Sequence, residues 1–249
     1  MSRSSTSKIL LYGKGIFTTI AVRDSKPFLW EKHWKRLTKN AARLGIDLSR
    51  YTEAEISDAV HGAAAAELKT GRVRVSFFDE SPAELWGEEV EREVSLSILT
   101  GRSRQRPAKP GLTISPHRVN STSPLAGIKS CNYLEPLMAL QKAKELGFEE
   151  GIRLNERGEV ASACVANVFW VKDERLFTPS LRTGCLAGTT REYILENLAC
   201  EEVEAGIEAL QEADDIFLTS AGIGAMQAAE FEGRPLRRSD HPIIRLLTF

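Results

Sequence analysis

Apolar and polar positions change period several times along this chain, and the changes mark out its elements. Ile16 to Val22 is a β-branched run and predicts a strand. Asp24-Ser-Lys-Pro27 makes a turn. Trp30, Trp34, Leu37, Ala41 and Leu44 then recur at helical spacing up to Gly45, which predicts one helix. Thr52 and Glu55 have capping-box spacing and open a second helix running to Leu68. Arg72 to Phe78, Glu93 to Leu99 and Leu112 to Val119 predict strands. The first half therefore reads β-α-α-β-β-β.

Beyond it, Leu134 to Leu146 predicts a helix stopped by Gly147. Gly151 to Asn155 and Glu159 to Lys172 predict a hairpin around Glu156-Arg-Gly158, and Thr189 to Ala199 predicts a further helix. Asp215 to Ser220 predicts a strand. The irregular stretch Asn120 to Lys129 suggests a passage between domains, giving a small N-terminal domain over 1–119, a connecting segment over 120–129 and a larger domain over 130–249.

Composition narrows the function classes. With 33 basic and 34 acidic side chains the net charge is −1, so no general basic excess points to nucleic acid. The short basic run Arg102-Ser-Arg-Gln-Arg106 reads as a solvated loop. No apolar stretch is long enough for a bilayer span, and the polar Met1 to Ser7 lacks a signal peptide's apolar core, so a cytoplasmic location is expected. Cys131, Cys164, Cys185 and Cys200 lie far apart and predict reduced thiols, without a metal site or a disulfide framework. No Walker A sequence and no G-x-G-x-x-G after a strand is present.

Lys129 lies in Leu125-Ala-Gly-Ile-Lys-Ser-Cys-Asn-Tyr-Leu134, between an apolar run and a helix start. Apolar surroundings depress a lysine pKa and free its amine for covalent chemistry with a carbonyl. Thr183-Gly-Cys-Leu-Ala-Gly-Thr-Thr-Arg191 enters a helix. Its backbone N–H groups and the hydroxyls of Thr189 and Thr190 suit either a phosphate cradle or an ordinary helix cap. Arg36, three residues after His33, is either a surface residue or a bidentate phosphate clamp. His33 alone reads as a packing or surface residue.

In order along the chain, these motifs resemble the class IV aminotransferase family, the fold-type IV pyridoxal-phosphate (PLP) enzymes. Gly13-Lys-Gly-Ile-Phe-Thr-Thr19, His33-Trp-Lys-Arg-Leu37, Lys129-Ser-Cys-Asn-Tyr133, Asn155-Glu-Arg-Gly158 through Ala166-Asn-Val-Phe169, Thr178-Pro179 and Leu186-Ala-Gly-Thr-Thr-Arg191 carry the likeness. It implies an α+β, two-domain fold with a small N-terminal α/β sandwich and a larger mixed, barrel-like α/β domain. It implies PLP bound covalently by Lys129, which also moves protons. Arg36, Thr189 and Thr190 would hold the phosphate, and Tyr133 would reach the phenolic oxygen of the cofactor. Thr219 and Ser220 would complete the phosphate and substrate pocket. The family forms homodimers around a small-molecule amino substrate.

Two positions depart from the family pattern. Lys14 replaces an aspartate in the opening motif, with little chemical consequence expected. Ser162 replaces the glutamate that meets the pyridine nitrogen. Glu159, three residues away on a strand, should point to the other face and so does not substitute. A carboxylate keeps that nitrogen protonated and strengthens the electron sink, whereas a serine hydroxyl cannot hold a full positive charge there. A lyase whose product aromatises tolerates the weaker sink better than an aminotransferase does. Phe17-Thr-Thr19, Pro124-Leu-Ala-Gly-Ile-Lys129 and Ala163-Cys-Val-Ala-Asn-Val-Phe-Trp170 resemble 4-amino-4-deoxychorismate lyases, which make p-aminobenzoate and pyruvate in folate biosynthesis. Tyr133 leans towards the aminotransferases, for which the Arg102–Arg106 loop offers a guanidinium to a substrate carboxylate. A binding protein without catalysis is the third reading.

Overall fold

The computed structural model describes residues 6–83, 93–103 and 107–247. They divide into two compact units. The first takes the described residues up to Ser103 together with Ile128–Tyr133, and the second takes the rest. The division along the chain therefore falls near 103 and not at 119, and Ile128–Tyr133 returns to the first unit. The polar stretch at 120–129 was a poor boundary marker because its last residues pair with a strand.

In the first unit, α1 (Lys8–Tyr12) is followed by β1 (Gly15–Arg23), β2 (Lys26–Pro27), α2 (Trp30–Leu44), α3 (Glu53–Glu67), β3 (Gly71–Asp79) and β4 (Val94–Gly101). The sheet order is β2-β1-β3-β4, with antiparallel pairing throughout. Ile16, Ile20, Val22, Val73, Val75 and Phe77 pack against Trp30, Leu37, Ala41, Ile56, Val60 and Ala64 of the two helices. Both helix ends expected from sequence form. Gly45 takes φ +62 after α2, and Thr52 and Glu55 make the reciprocal capping box of α3.

The second unit contains β5 (Gly111–Ile114), α4 (Leu134–Glu145), β6 (Glu150–Leu154), β7 (Val160–Ala163), β8 (Asn167–Lys172), β9 (Arg175–Pro179), α5 (Thr189–Asn197) and β10 (Glu201–Val203). It continues through α6 (Glu208–Gln211), β11 (Asp215–Ser220), β12 (Gly224–Gln227), β13 (Glu230–Phe231), β14 (Arg234–Pro235) and α7 (Pro242–Leu246). Two five-stranded sheets run β10-β9-β8-β11-β12 and β14-β13-β5-β6-β7. They share a core that includes Leu112, Ile152, Val168, Trp170, Ile216, Leu218 and Phe231.

Two expectations change. The strand near 112 belongs to the second unit, parallel to β6 and β13, and not to the N-terminal sheet. The single strand expected over 159–172 is two strands in different sheets. Ala163 N–H donates to Ala166 O at 3.0 Å, closing a turn between them. The buried Glu150 carboxylate accepts from Cys164 N–H at 3.0 Å and from Gly151 N–H at 3.2 Å, and so fixes that turn. Among the described residues, no helix is long and apolar enough to cross a membrane. The four cysteines are free thiols, and no group of three or more His, Cys, Asp or Glu could hold a metal ion among those residues.

Candidate active site

Lys129 is positioned by its backbone. The N-terminal half of β1 offers an edge that Lys129–Cys131 occupies. Phe17 N–H donates to Lys129 O at 3.0 Å and Cys131 N–H to Gly15 O at 2.8 Å, around an antiparallel bridge of Ile16 with Ser130. Gly15 has to be small here, because a Cβ would lie 3.0 Å from Cys131 Sγ, from Ile9 Cδ1 and from Phe77 O. The lysine side chain, partly covered, crosses aromatic faces. Its Nζ lies 4.5 Å from the Phe17 ring centroid and 4.8 Å from that of Tyr133, and it donates to Tyr133 Oη at 3.4 Å. Phe17 and Tyr133 meet edge to face at 5.1 Å.

Two more cations share this neighbourhood. The Arg74 guanidinium stacks 3.7 Å from the Phe17 centroid and donates to Ser76 Oγ at 3.2 Å. Arg36 comes from α2. Burial and the charges of Arg36 and Arg74 bring the Lys129 pKa down to about 7. About half of the amine is therefore neutral at pH 7, which leaves a free amine available as a lysine nucleophile requires.

A buried polar chain fixes Arg36. His33 and Arg36 are one helical turn apart and share a face of α2. Thr18 lies on the helix-facing side of β1 with Ile16 and Ile20. Arg36 Nη2 donates to Thr18 Oγ1 at 2.7 Å, and Thr18 Oγ1 lies 2.6 Å from His33 Nδ1. Burial first, then the charges of Arg36 and Lys129, holds the His33 pKa well below its ordinary value. His33 is thus a neutral strut, and this role was not visible from its isolated place in the sequence. Lys14 forms an ion pair with Asp79 at 2.8 Å, so the departure in the opening motif is neutralised from the end of β3, the strand paired with β1.

In the second unit, Thr189 and Thr190 open α5, both buried. Asn167, at the start of β8, ties that helix entry to the end of β11. Its Nδ2 donates to Thr190 Oγ1 at 3.0 Å, to Thr219 O at 2.8 Å and to Thr219 Oγ1 at 3.1 Å. Thr219, buried like Thr189 and Thr190, partners Asn167 through both its carbonyl and its hydroxyl oxygen. Ser220 Oγ accepts from Gly222 N–H at 3.2 Å and shapes the turn into β12.

Ser162 sits on β7 directly across from Arg153 of β6. Among the described residues its hydroxyl has no hydrogen-bond partner, so it can serve a bound group. Neither nearby glutamate replaces the missing one. Glu159 is held by Arg157 and by Asn155 Nδ2 at 2.7 Å, and Glu150 is committed to the turn after β7. The buried Arg153 donates to His117 O at 3.0 Å and to Arg118 O at 2.7 Å, and pairs with Glu135. The loop Arg102–Arg106, offered as a carboxylate receptor, lies with its residues 104–106 outside the described residues.

Sequence reasoning therefore selected Lys129, Tyr133 and Arg36, which the structure gathers in the first unit, and Thr189, Thr190, Thr219, Ser220 and Ser162, which lie in the second. It missed Thr18, Arg74 and the bonding of Asn167. Thr18 and Asn167 stood inside quoted motifs, but only the fold shows what they hold. Arg74 alternates with Arg72 on β3 and looks like an ordinary surface cation in sequence.

Comparison with known proteins bears on the whole arrangement. The amino-transferase class IV family model matches residues 15–231. An aminodeoxychorismate lyase from Bacillus subtilis is 30% identical over 223 residues, covering 85% of this chain and 75% of that protein. A branched-chain aminotransferase from Thermoproteus uzoniensis, solved with norvaline, superposes with a TM-score of 0.88 at 25% identity, covering 99% of this chain and 88% of that one. An aminotransferase from Brucella abortus, solved with its co-factor PLP, gives 0.84 at 20% identity over 97% and 89% of the two chains. With a match running through most of its length, the chain belongs to the class IV aminotransferase family.

Proposed function

We propose that this protein is a PLP-dependent enzyme of the class IV family whose reaction is most like that of 4-amino-4-deoxychorismate lyase. The observation that carries the reading is the Lys129 amine, set against the Phe17 and Tyr133 rings and within reach of the charges of Arg36 and Arg74, which together with burial bring its pKa down to about 7. A partly covered amine that is half neutral at pH 7 suits covalent attachment to an aldehyde, and the Tyr133 hydroxyl 3.4 Å away suits the phenolic oxygen of such a cofactor.

PLP, when bound, supplies an electron sink for the pair left by a bond broken at the substrate carbon bearing the amine. The protein does the rest. Lys129 would take the proton from that carbon as the C–O bond to the enolpyruvyl group breaks, and would pass a proton to the methylene of the departing group, which leaves as pyruvate. By the family resemblance, the phosphate-holding role would fall to Arg36, oriented by Thr18 and His33, and to Thr189 and Thr190. Ser162 would meet the ring nitrogen with a hydroxyl in place of a carboxylate, which would leave the sink weaker than in an aminotransferase. Loss of the enolpyruvyl group with aromatisation of the ring supplies its own driving force and tolerates that weakness. The B. subtilis relative supports the same choice. Following the family, two copies of the chain form the working enzyme.

The test begins with PLP addition to the purified protein. A visible chromophore and a borohydride-trapped adduct at Lys129 are expected, and absence of both rejects the enzyme reading. Pyruvate release from aminodeoxychorismate then checks the lyase. Conversion of bound PLP to its amine form by an amino acid, without pyruvate release, would favour the aminotransferase instead. Sedimentation at micromolar concentration measures the dimer.

A further inference from the structure

The amide of Asn167 has a fixed orientation. One of its atoms lies 2.8 Å from the carbonyl oxygen of Thr219, which can only accept, so that atom is the nitrogen. The same nitrogen points at the Thr190 and Thr219 hydroxyl oxygens, at 3.0 and 3.1 Å. A hydroxyl that accepts from an amide turns its own proton elsewhere. The other end of the amide is pressed against the entry of α5. A Cβ on Gly188, the cap residue, would come 2.2 Å from Asn167 Oδ1. One side chain thus touches the cap, the second residue of α5 and the end of β11.

We propose that Asn167 is the positioning residue of the phosphate cradle: it fixes the α5 entry against β11 and commits the Thr190 hydroxyl to donating its proton to an anionic phosphate. The proposal rests on the phosphate role given to Thr190 above. Asn167 needs no contact with the ligand, since it acts through Thr190 and Gly188. The class of ligand favoured is a phosphate monoester, and phosphate-free analogues gain nothing from the arrangement.

Two ligands separate this role from general support of the fold. The apo-protein is titrated with PLP and with pyridoxal, which lacks the phosphate, following tryptophan fluorescence. Asn167→Ala should weaken PLP by about 10- to 100-fold, the range for a hydrogen bond to a charged group. Pyridoxal affinity should stay within about two-fold. Thr190→Val should show the same selective loss, and Asn167→Ala added to it should cost no more than about two-fold further.

Equal weakening of both ligands by Asn167→Ala, or full additivity with Thr190→Val, overturns the proposal. Where Asn167→Ala does not fold, Asn167→Asp keeps the volume and loses the donor. It should lose selectivity at least as far, and a wild-type ratio there overturns the proposal. If Thr190→Val itself leaves the ratio of the two affinities unchanged, the phosphate role of Thr190 fails and the proposal falls with it. A ratio moved by Thr190→Val and untouched by Asn167→Ala rejects the positioning role alone.

Discussion

The Nζ of Lys129 lies 3.4 Å from the hydroxyl of Tyr133, four residues on, and the Phe17 ring borders both. Nothing acidic is ion-paired with this amine among the described residues, while Arg36 and Arg74 repel its proton. A lysine so placed costs the empty protein stability. The unfolded lysine binds a proton below about 10.5, and the folded one does so only below about 7. Between these values the unfolded state holds more protons, so stability rises with pH and the full penalty is present below about 7.

Lys129→Met removes the penalty. The variant apo-protein should be more stable than wild type at pH 6 by about 1–3 kcal/mol. The gap should close as the pH approaches 10.5. Calorimetry of both proteins across that range measures it, and a gap independent of pH would show that the amine is well solvated. The same variant should form no borohydride-stable adduct with PLP.

The Thr18–His33 contact works in the opposite part of the pH scale. His33 is buried and neutral, with its folded pKa held well below 6.5. As pH falls through 6.5 the unfolded chain takes up a proton that the folded chain refuses, so stability is lost toward acid. His33→Gln should flatten this slope relative to wild type between pH 6.5 and 5, read from urea midpoints. Thr18→Val strips a partner from both His33 and Arg36 and should cost about 1–3 kcal/mol at pH 7.5. It should also weaken PLP more than pyridoxal, because Arg36 loses its orientation.

The parts of this molecule legible in sequence are those governed by local chemistry. Gly45 and the Thr52–Glu55 box mark helix ends because the backbone conformation and the orphan N–H groups demand those residues nearby. Lys129, Arg36 and the Thr189–Thr190 pair were legible as an ordered set of motifs. What was not legible depends on long-range pairing. The run 159–172 keeps its apolar character through Cys164–Ala166, so only the Glu150 carboxylate, some fourteen residues away, reveals the turn that sends β7 and β8 into different sheets. Arg74 carries no local sign of its Phe17 partner, which arrives through the β1–β3 register.

Ser162→Glu restores a carboxylate where the family has one. If Ser162 faces the ring nitrogen, the variant should raise the rate of amine-form production from bound PLP in single-turnover mixing with amino acids. About a ten-fold gain corresponds to 1.4 kcal/mol of added stabilisation of the barrier. The new carboxylate would also stand across from Arg153, whose guanidinium already serves His117 O, Arg118 O and Glu135. Wild-type rates and an unchanged absorption spectrum would mean that β7 presents a different residue to the cofactor.

Gly188 and Gly62 provide a paired test of the packing around Asn167. Gly188 has φ −72 and ψ 136, which any residue adopts, so its backbone gives no reason for glycine. The reason is steric. A Cβ would sit 2.2 Å from Asn167 Oδ1 and 2.9 Å from Cγ and Nδ2. Asn167 cannot withdraw without giving up its bonds to Thr190 and Thr219. Gly188→Ala should therefore cost about 1–3 kcal/mol as an overpacked site. Gly62 lies within α3, and a Cβ there meets nothing within 4 Å. Gly62→Ala should gain about 0.5–1 kcal/mol by helix propensity alone. Urea unfolding of the two variants beside wild type should give midpoint shifts of opposite sign. A gain at both positions would mean that the Asn167 amide yields readily, and the rigid connection between α5 and β11 would then have to be abandoned.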